Sequence, residues 1–392
     1  MLAGFACAGR RSEKAGDATA IIFKHAKHPR YAYLGKLIEQ FEQENPGIRV
    51  REEVLPASTD EQHQFYVMNL AARSPDFDVL DMDVIWIQEF ARAGWISELT
   101  PYVPAKELSR LNRAALQADW QNEKLYAVPW FVDGGVLYYR KDLLGKYGLS
   151  PPKTFPELVK IARTILNGEA DPRLLGFVWQ GMQYEGLVCA ALEMIRGNGG
   201  DVLRKNGELA LTDTATLEAL HFMSDLVRRD GVTPPLVTTL NEEAARHIFQ
   251  SGRAIFMRNW PYAWNLLNKP NSPMAGRAGL TAIPHFAGHA SAPTLGGFHL
   301  GVNAFSPHQE QAREFVRFMI RENVQKQNFL NVGVLPAHAD VYQDPEVKRA
   351  FPFPPELLNI LEQVQPRPVT PYYLMISQIL QPELSAVVAG VR

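Results

Sequence analysis

Ala20-Ile21-Ile22-Phe23, the spaced residues Leu34, Leu37, Ile38 and Phe41, and Ile48-Arg49-Val50 open the chain as strand, helix and strand. The first run is short and continuously apolar, as a buried strand is. The four spaced residues fall at i, i+3, i+4 and i+7, one face of a helix, and Asn45-Pro46-Gly47 stops it. The alternation continues. Phe65 to Ala72 reads as a helix, Val79-Leu80-Asp81-Met82-Asp83-Val84 as a strand, and Trp86 to Ala93 as a helix closed by Gly94. Alternating units of this kind predict an α/β fold, a mostly parallel sheet flanked by helices.

Downstream, Leu125 to Val132 and Val136 to Arg140 read as strands on either side of Asp133-Gly134-Gly135. Helical patterns follow at Pro156–Leu166, Tyr184–Arg196, Ala215–Arg229 and Asn241–Gln250, then short strands at Ala254–Met257 and Leu300–Ala304, and a helix at Gln309–Arg321. Residues 270–297 are rich in proline and glycine, and the last third has helix patterns broken by prolines from Pro336 to Pro382.

With 392 residues, 46% of them hydrophobic, the chain is longer than one core sustains, so two lobes are expected. Forty basic against 42 acidic residues give a net charge of -2, which argues against a nucleic-acid partner. No apolar run reaches membrane-spanning length. Two cysteines, Cys7 and Cys189, cannot build a zinc site or a disulfide framework. Cys189 lies in an apolar helical run and reads as a buried free thiol. Met1 to Cys7 is apolar and Ala8 to Thr19 polar, like the end of a secretion signal with a lipid-attachment cysteine, although Gly4 and the missing basic segment fit it poorly.

Chemistry-bearing motifs are scarce. There is no G-x-G-x-x-G after a strand, no G-x-x-x-x-G-K-[ST], no H-E-x-x-H and no G-x-S-x-G. His25 with His28, and His285 with His289, read as loop histidines, so no metal or cofactor is expected. What stands out is aromatics beside carboxylates and glycines near strand ends. Trp260, Tyr262 and Trp264 alternate around Pro261; Asp83 and Asp133 sit near the carboxyl ends of strands, where open α/β sheets bind ligands; Leu295-Gly296-Gly297-Phe298-His299 adds a glycine turn. A pyranose needs this set. Its C–H face lies on an aromatic ring, and its hydroxyls need acceptors and donors in the ring plane, supplied by carboxylates and by an arginine fork such as that of Arg367.

From about residue 20 to 385 the sequence resembles the family-1 extracellular solute-binding proteins of ABC importers, and within them is most similar to the trehalose/maltose-binding proteins. The carrying segments are Asp83-Val84-Ile85-Trp86, Tyr138 to Leu144, Gly176 to Gly181, Gln183 to Cys189, Arg258 to Trp264, Pro366-Arg367-Pro368 and Pro371-Tyr372-Tyr373. The resemblance implies the two-lobe periplasmic binding fold (type II), each lobe a mostly parallel sheet flanked by helices, with the ligand in the interlobe cleft. Residues 1–18 would be a signal remnant or linker, 19–130 with 284–332 the N-lobe, and 131–283 with 333–392 the C-lobe. It places sugar contacts on Asp83, Asp133, Trp260, Tyr262, Gly297, Phe298 and Arg367, with Arg30 reaching in from the loop Lys27-His28-Pro29-Arg30-Tyr31. Phe131 and Phe298 depart from it, where relatives carry Tyr and often Trp.

The expected function is therefore binding of a disaccharide, trehalose or a related α-glucoside, by an exported monomer that delivers it to membrane permease subunits; maltose, maltodextrin or sucrose are the alternative ligands. The remoter readings are a glycoside hydrolase using Asp83 and Asp133, whose carboxylates would then sit about 5–9.5 Å apart, and a ferric-ion binder using Tyr138-Tyr139 and Tyr372-Tyr373.

Overall fold

The structure, a computed structural model, describes residues 18–204, 206–350 and 356–391. Cys7 and the leader-like segment lie outside them. Among the described residues eleven strands run in chain order: β1 (Thr19–Ala26), β2 (Ile48–Leu55), β3 (Val79–Asp83), β4 (Trp120–Gln121), β5 (Lys124–Leu125), β6 (Val128–Gly134), β7 (Val136–Arg140), β8 (Leu175–Val178), β9 (Ala254–Asn259), β10 (Ala278–Ala282) and β11 (Leu295–Val302). Apart from the β4–β5 ribbon they form two sheets, ordered β2-β1-β3-β11-β6 and β10-β7-β9-β8.

The opening helix forms where its apolar face predicts. It spans Leu34–Glu44 and buries Leu34, Leu37, Ile38 and Phe41. Phe41 meets Phe315 and Phe318 of the helix Gln309–Met319 edge-on, at 5.1 and 5.3 Å between ring centres, closing one side of the first sheet. β3 is buried throughout, as a central strand covered on both faces is.

The two-lobed α/β architecture matches the expectation, but the sheets are mixed rather than mostly parallel. β1 pairs parallel with β2 and β3, and β8 with β9, whereas β11 is antiparallel to β3 and β6, and β7 is antiparallel to β9 and β10. The cause is that the chain changes sheet between consecutive strands, so β7 and β11 enter without the crossover helix that parallel pairing requires. β6 runs past residue 130 and stays paired in the first sheet to Gly134; β7 begins the second sheet two residues later. The return passage lies between β10 and β11. The passages meet: the Gly135 N–H donates to Thr294 O at 3.3 Å. A Cβ on Gly135 would stand 1.8 Å from Glu193 Oε1 and 2.8 Å from Arg258 Nη2, so only glycine fits against that buried ion pair.

β10 falls in the stretch read as proline- and glycine-rich. Ala278-Gly279-Leu280-Thr281-Ala282 has weak strand character, and Gly279 is needed because Tyr139 of the paired strand lies over it. Among the described residues no helix is long and apolar enough to cross a membrane.

Candidate functional site

A cleft of about 180 Å³ opens between the sheets. The first sheet supplies Asp83 at the end of β3, Asp133 near the end of β6, and Gly296, Gly297 and Phe298 at the start of β11; the other side supplies Trp260, just beyond β9, together with Glu185 and Glu242 at the starts of two helices. Arg30, His28 and Arg367 also line it. A second cavity, about 260 Å³, is lined almost wholly by aliphatic side chains and offers no set of hydroxyl partners.

The glycine pair places the wall beside an acceptor. A Cβ on Gly296 would meet Trp260 Cζ3 at 2.9 Å and Asp133 Cβ at 3.2 Å, so the indole and the carboxylate flank one spot. Gly297 has φ 123°, and a Cβ there would lie 2.4 Å from Phe131 O. Immediately after it the pairing of β11 with β6 shifts between Phe298 and His299, the kind of irregularity that re-aims a side chain.

Trp260 is 9% exposed, with one face covered: the Arg258 guanidinium lies 4.0 Å from its ring centre. Arg258 is fixed by Glu193 at 2.6 and 2.8 Å and by Gln180 Oε1 at 3.0 Å. The Phe131–Phe298 pair stacks at 5.7 Å and is capped by Arg30, whose guanidinium lies 5.1 and 4.9 Å from the two rings. Trp260 thus lines the cleft with one ring face held by Arg258, and its other face is a candidate surface for a sugar ring.

Among the described residues none donates a hydrogen bond to Asp133. Burial pushes its carboxyl up to about 6 despite Arg30 and Arg258 nearby, with Asp83 adding to the rise. Asp83 Oδ1 accepts from Arg367 Nη2 at 2.7 Å and from the Ile85 N–H at 3.2 Å, which leaves Oδ2 open. His28 Nδ1 accepts from the Arg30 N–H and Nε–H at 3.2 and 3.0 Å, so its ring proton sits on Nε2. Burial, then Arg30 and Arg246, hold the imidazole well below its usual range, making it a neutral N–H donor.

Asp83, Asp133, Trp260, Gly297, Phe298, Arg367 and Arg30 all line the cleft. Tyr262 does not: its hydroxyl donates to Glu243 Oε1 at 2.6 Å and its ring meets His28 edge-on at 4.8 Å, so it backs the wall. Arg367 is 5% exposed, and both Nη groups are engaged, with Asp83 and with Glu185 Oε1 at 2.9 Å; it bridges two carboxylates before any ligand arrives. The histidine pair at 25 and 28 is not loop-exposed. His25 is buried in β1, its nitrogens 3.0 Å from Ala26 O and 3.2 Å from Glu52 Oε2, and His28 lies in the cleft. Cys189 is buried on the cleft floor, its Sγ 3.9 Å from Glu185 Oε1 and its thiol pushed up by burial. Three of the four phenols read as an iron set are engaged with other groups. Tyr138 donates to Trp260 O at 2.9 Å and Tyr373 to Glu185 Oε1 at 2.8 Å, while the Tyr372 hydroxyl accepts from Arg92 Nη1 at 2.7 Å.

Sequence reasoning missed His28, Glu185 and Glu242. Each sits beside a segment already singled out, but a glutamate in a first helical turn carries no local mark separating a site residue from an ordinary helix start.

The profile of the bacterial extracellular solute-binding proteins matches residues 25–326. The chain belongs to that family. T. maritima MalE3, a structure with maltose bound, is 40% identical to this solute-binding protein, with a TM-score of 0.91 over 96% of each chain. A probable ABC transporter-binding protein of Deinococcus radiodurans is 38% identical over 320 residues, 81% of this chain and 75% of that one. The GacH receptor of Streptomyces glaucescens, solved unliganded and with acarbose, shares the fold at 23% identity, with a TM-score of 0.83 over 96% of this chain and 94% of that one.

Proposed function

We propose that this protein is the substrate-binding component of an ABC sugar importer. It takes a disaccharide of α-linked glucose, trehalose first, closes on it, and hands it to permease subunits as an exported monomer. The observation that carries the reading is the pairing across Gly296: one open indole face beside a buried carboxylate that no protein group satisfies. An aromatic face covers the C–H side of one pyranose, and Asp133 takes its hydroxyls. Arg258 holds one face of Trp260 and Arg30 lies beside the phenylalanine pair, which supports one ring stacked on the free indole face. The second ring falls to polar partners: Asp83 Oδ2, the His28 Nε2–H and Arg30. Trehalose, with two equivalent non-reducing ends, suits acceptors reaching in from both lobes. The maltose in T. maritima MalE3 supports the same size class; maltose and sucrose are the next candidates.

On this reading the lobes divide at Gly135 and in the stretch between Ala282 and Leu295, where the chain passes between the sheets, with a third crossing in the helical segment after Val332. Closure about them is the hinge motion expected of a binding protein. The raised Asp133 carboxyl would also suit a general acid in a hydrolase. One experiment separates the readings: equilibrium dialysis with radiolabelled trehalose, followed by chromatography of the sugar after overnight incubation. Saturable binding of one sugar per chain, recovered intact, is expected; recovery as glucose would replace transport by hydrolysis.

A further inference from the structure

Trp260 is held through its backbone, its indole N–H and one ring face, and several of the ties converge on one residue. Glu242 opens the helix Glu242–Gln250, whose cap is Asn241. Its Oε1 accepts from Trp260 Nε1 at 3.4 Å. Its Oε2 accepts from the Tyr184 hydroxyl at 2.6 Å, which fixes the carboxylate's direction. Its backbone oxygen accepts from Asn259 Nδ2 at 3.0 Å, and Asn259 Oδ1 in turn accepts from the Trp260 N–H at 2.8 Å. Glu242 thus reaches both the ring and the backbone of Trp260. Arg258 fixes one ring face, and the ring edge packs so close to Gly296 that an added Cβ there would stand 2.9 Å from Cζ3. The first turn of a helix also favours a carboxylate, which suits Glu242 to its place there.

We infer that Glu242 is the positioning residue of the stacking wall: locked by Tyr184, it sets the plane of Trp260 before the sugar arrives. This deepens the sugar-binding reading and rests on it for its effect on affinity, but the ring's placement in the sugar-free protein can be tested alone. Stacking depends on the ring plane, so a wall free to swing loses affinity even when every contact group is present.

The test compares Glu242→Ala, Glu242→Gln and Trp260→Phe with wild type. Near-ultraviolet circular dichroism of the sugar-free proteins is recorded first, then calorimetric titration with trehalose and with maltose. Far-ultraviolet spectra and melting curves establish that each variant is folded. The inference expects Glu242→Ala to lose the same near-ultraviolet band that Trp260→Phe loses, and to bind the sugar more than tenfold more weakly. Glu242→Gln keeps an acceptor for the indole N–H and should restore both to within about threefold of wild type. An unchanged sugar-free spectrum in Glu242→Ala overturns the inference whether or not affinity falls, since a lost contact alone would not move Trp260. Wild type that binds neither sugar would defeat the proposed function, and the spectra would still decide the role of Glu242.

Discussion

Arg367 ties the two sides of the cleft together through Asp83, donating to Asp83 Oδ1 at 2.7 Å while its other Nη donates to Glu185 Oε1 at 2.9 Å. Asp83 ends a strand of the first sheet, and Glu185 opens the helix Glu185–Gly197, where Tyr373 and Ser377 also donate to it. Removing the cation leaves two buried carboxylates facing each other, which costs several kcal/mol in a site that cannot open. In the proposed hinge motion this cleft opens to water, so the cost should fall on closure. Arg367→Met should melt close to wild type without sugar yet bind it at least tenfold more weakly. Small-angle scattering should show that half-maximal contraction requires correspondingly more sugar.

Asp133 gives the protein a pH signature. Its carboxyl is pushed up to about 6, so the folded state holds the proton more tightly than the unfolded chain does. The cost of burying the charge is therefore present above pH 6 and relieved as pH falls through it, until the unfolded chain also protonates near pH 4. The full span is on the order of 2–3 kcal/mol. Asp81, pushed by burial to about 7, acts in the same direction. Asp142 acts oppositely: against the cost of its burial, Arg140 and Arg277 hold it near 2, and its stabilisation is lost below about pH 4. Sugar-free protein should thus melt highest between about pH 4 and 6. Asp133→Asn should raise the sugar-free melting temperature at pH 7.5 by a few degrees. Sugar affinity should move the other way, weakening as wild type is taken from pH 7.5 to 5, and Asp133→Asn should weaken it at both. Melting and titration at the two pH values check the signs; a higher affinity at pH 5 would mean the sugar accepts from a protonated Asp133.

Much of the fold was legible because it rests on local pattern. The opening helix buries the four residues its period predicts, and β3 lies where Val79 to Val84 place it. The mixed pairing was not legible, because it depends on where the chain changes sheet, and Gly135 is required there by Glu193, 58 residues away in sequence. The same division holds in the cleft. Asp83, Asp133 and Trp260 stood out by type and strand-end position. The demotion of Tyr262 to a supporting role, and the engagement of Arg367 before any ligand binds, follow from Glu243 and Glu185, which no spacing rule connects to them.

Gly135 should tolerate no side chain. The added methyl of Gly135→Ala would collide with the Glu193–Arg258 pair, which also carries the face of Trp260. Breaking such a buried pair typically costs about 3–5 kcal/mol. The variant should lose several degrees of melting temperature, and Arg258 displaced from Trp260 should cost sugar affinity as well. A variant as stable as wild type would show that the passage between sheets has slack the packing does not reveal.

Trp260→Ala removes the wall itself. Aromatic anchors in desolvated pockets are worth about 2 kcal/mol or more on truncation, over tenfold in affinity. Because the ring faces the cleft, the fold should survive by far-ultraviolet circular dichroism. Unfolding would assign Trp260 to the core, and unchanged affinity by titration calorimetry would remove stacking from the site.

The most direct test of the central claim is a thermal-shift panel on the wild-type protein with glucose, trehalose, maltose, sucrose and maltohexaose at equal concentration. A ligand at 100 times its dissociation constant adds about 2.7 kcal/mol, enough to see. One stacked ring and one polar-held ring predict the largest shift with trehalose and a smaller one with glucose, which leaves one set of partners unmet. The largest shift with maltose or sucrose would keep the pocket and reject trehalose, whereas the largest with maltohexaose, or no shift with any sugar, would contradict a short disaccharide site.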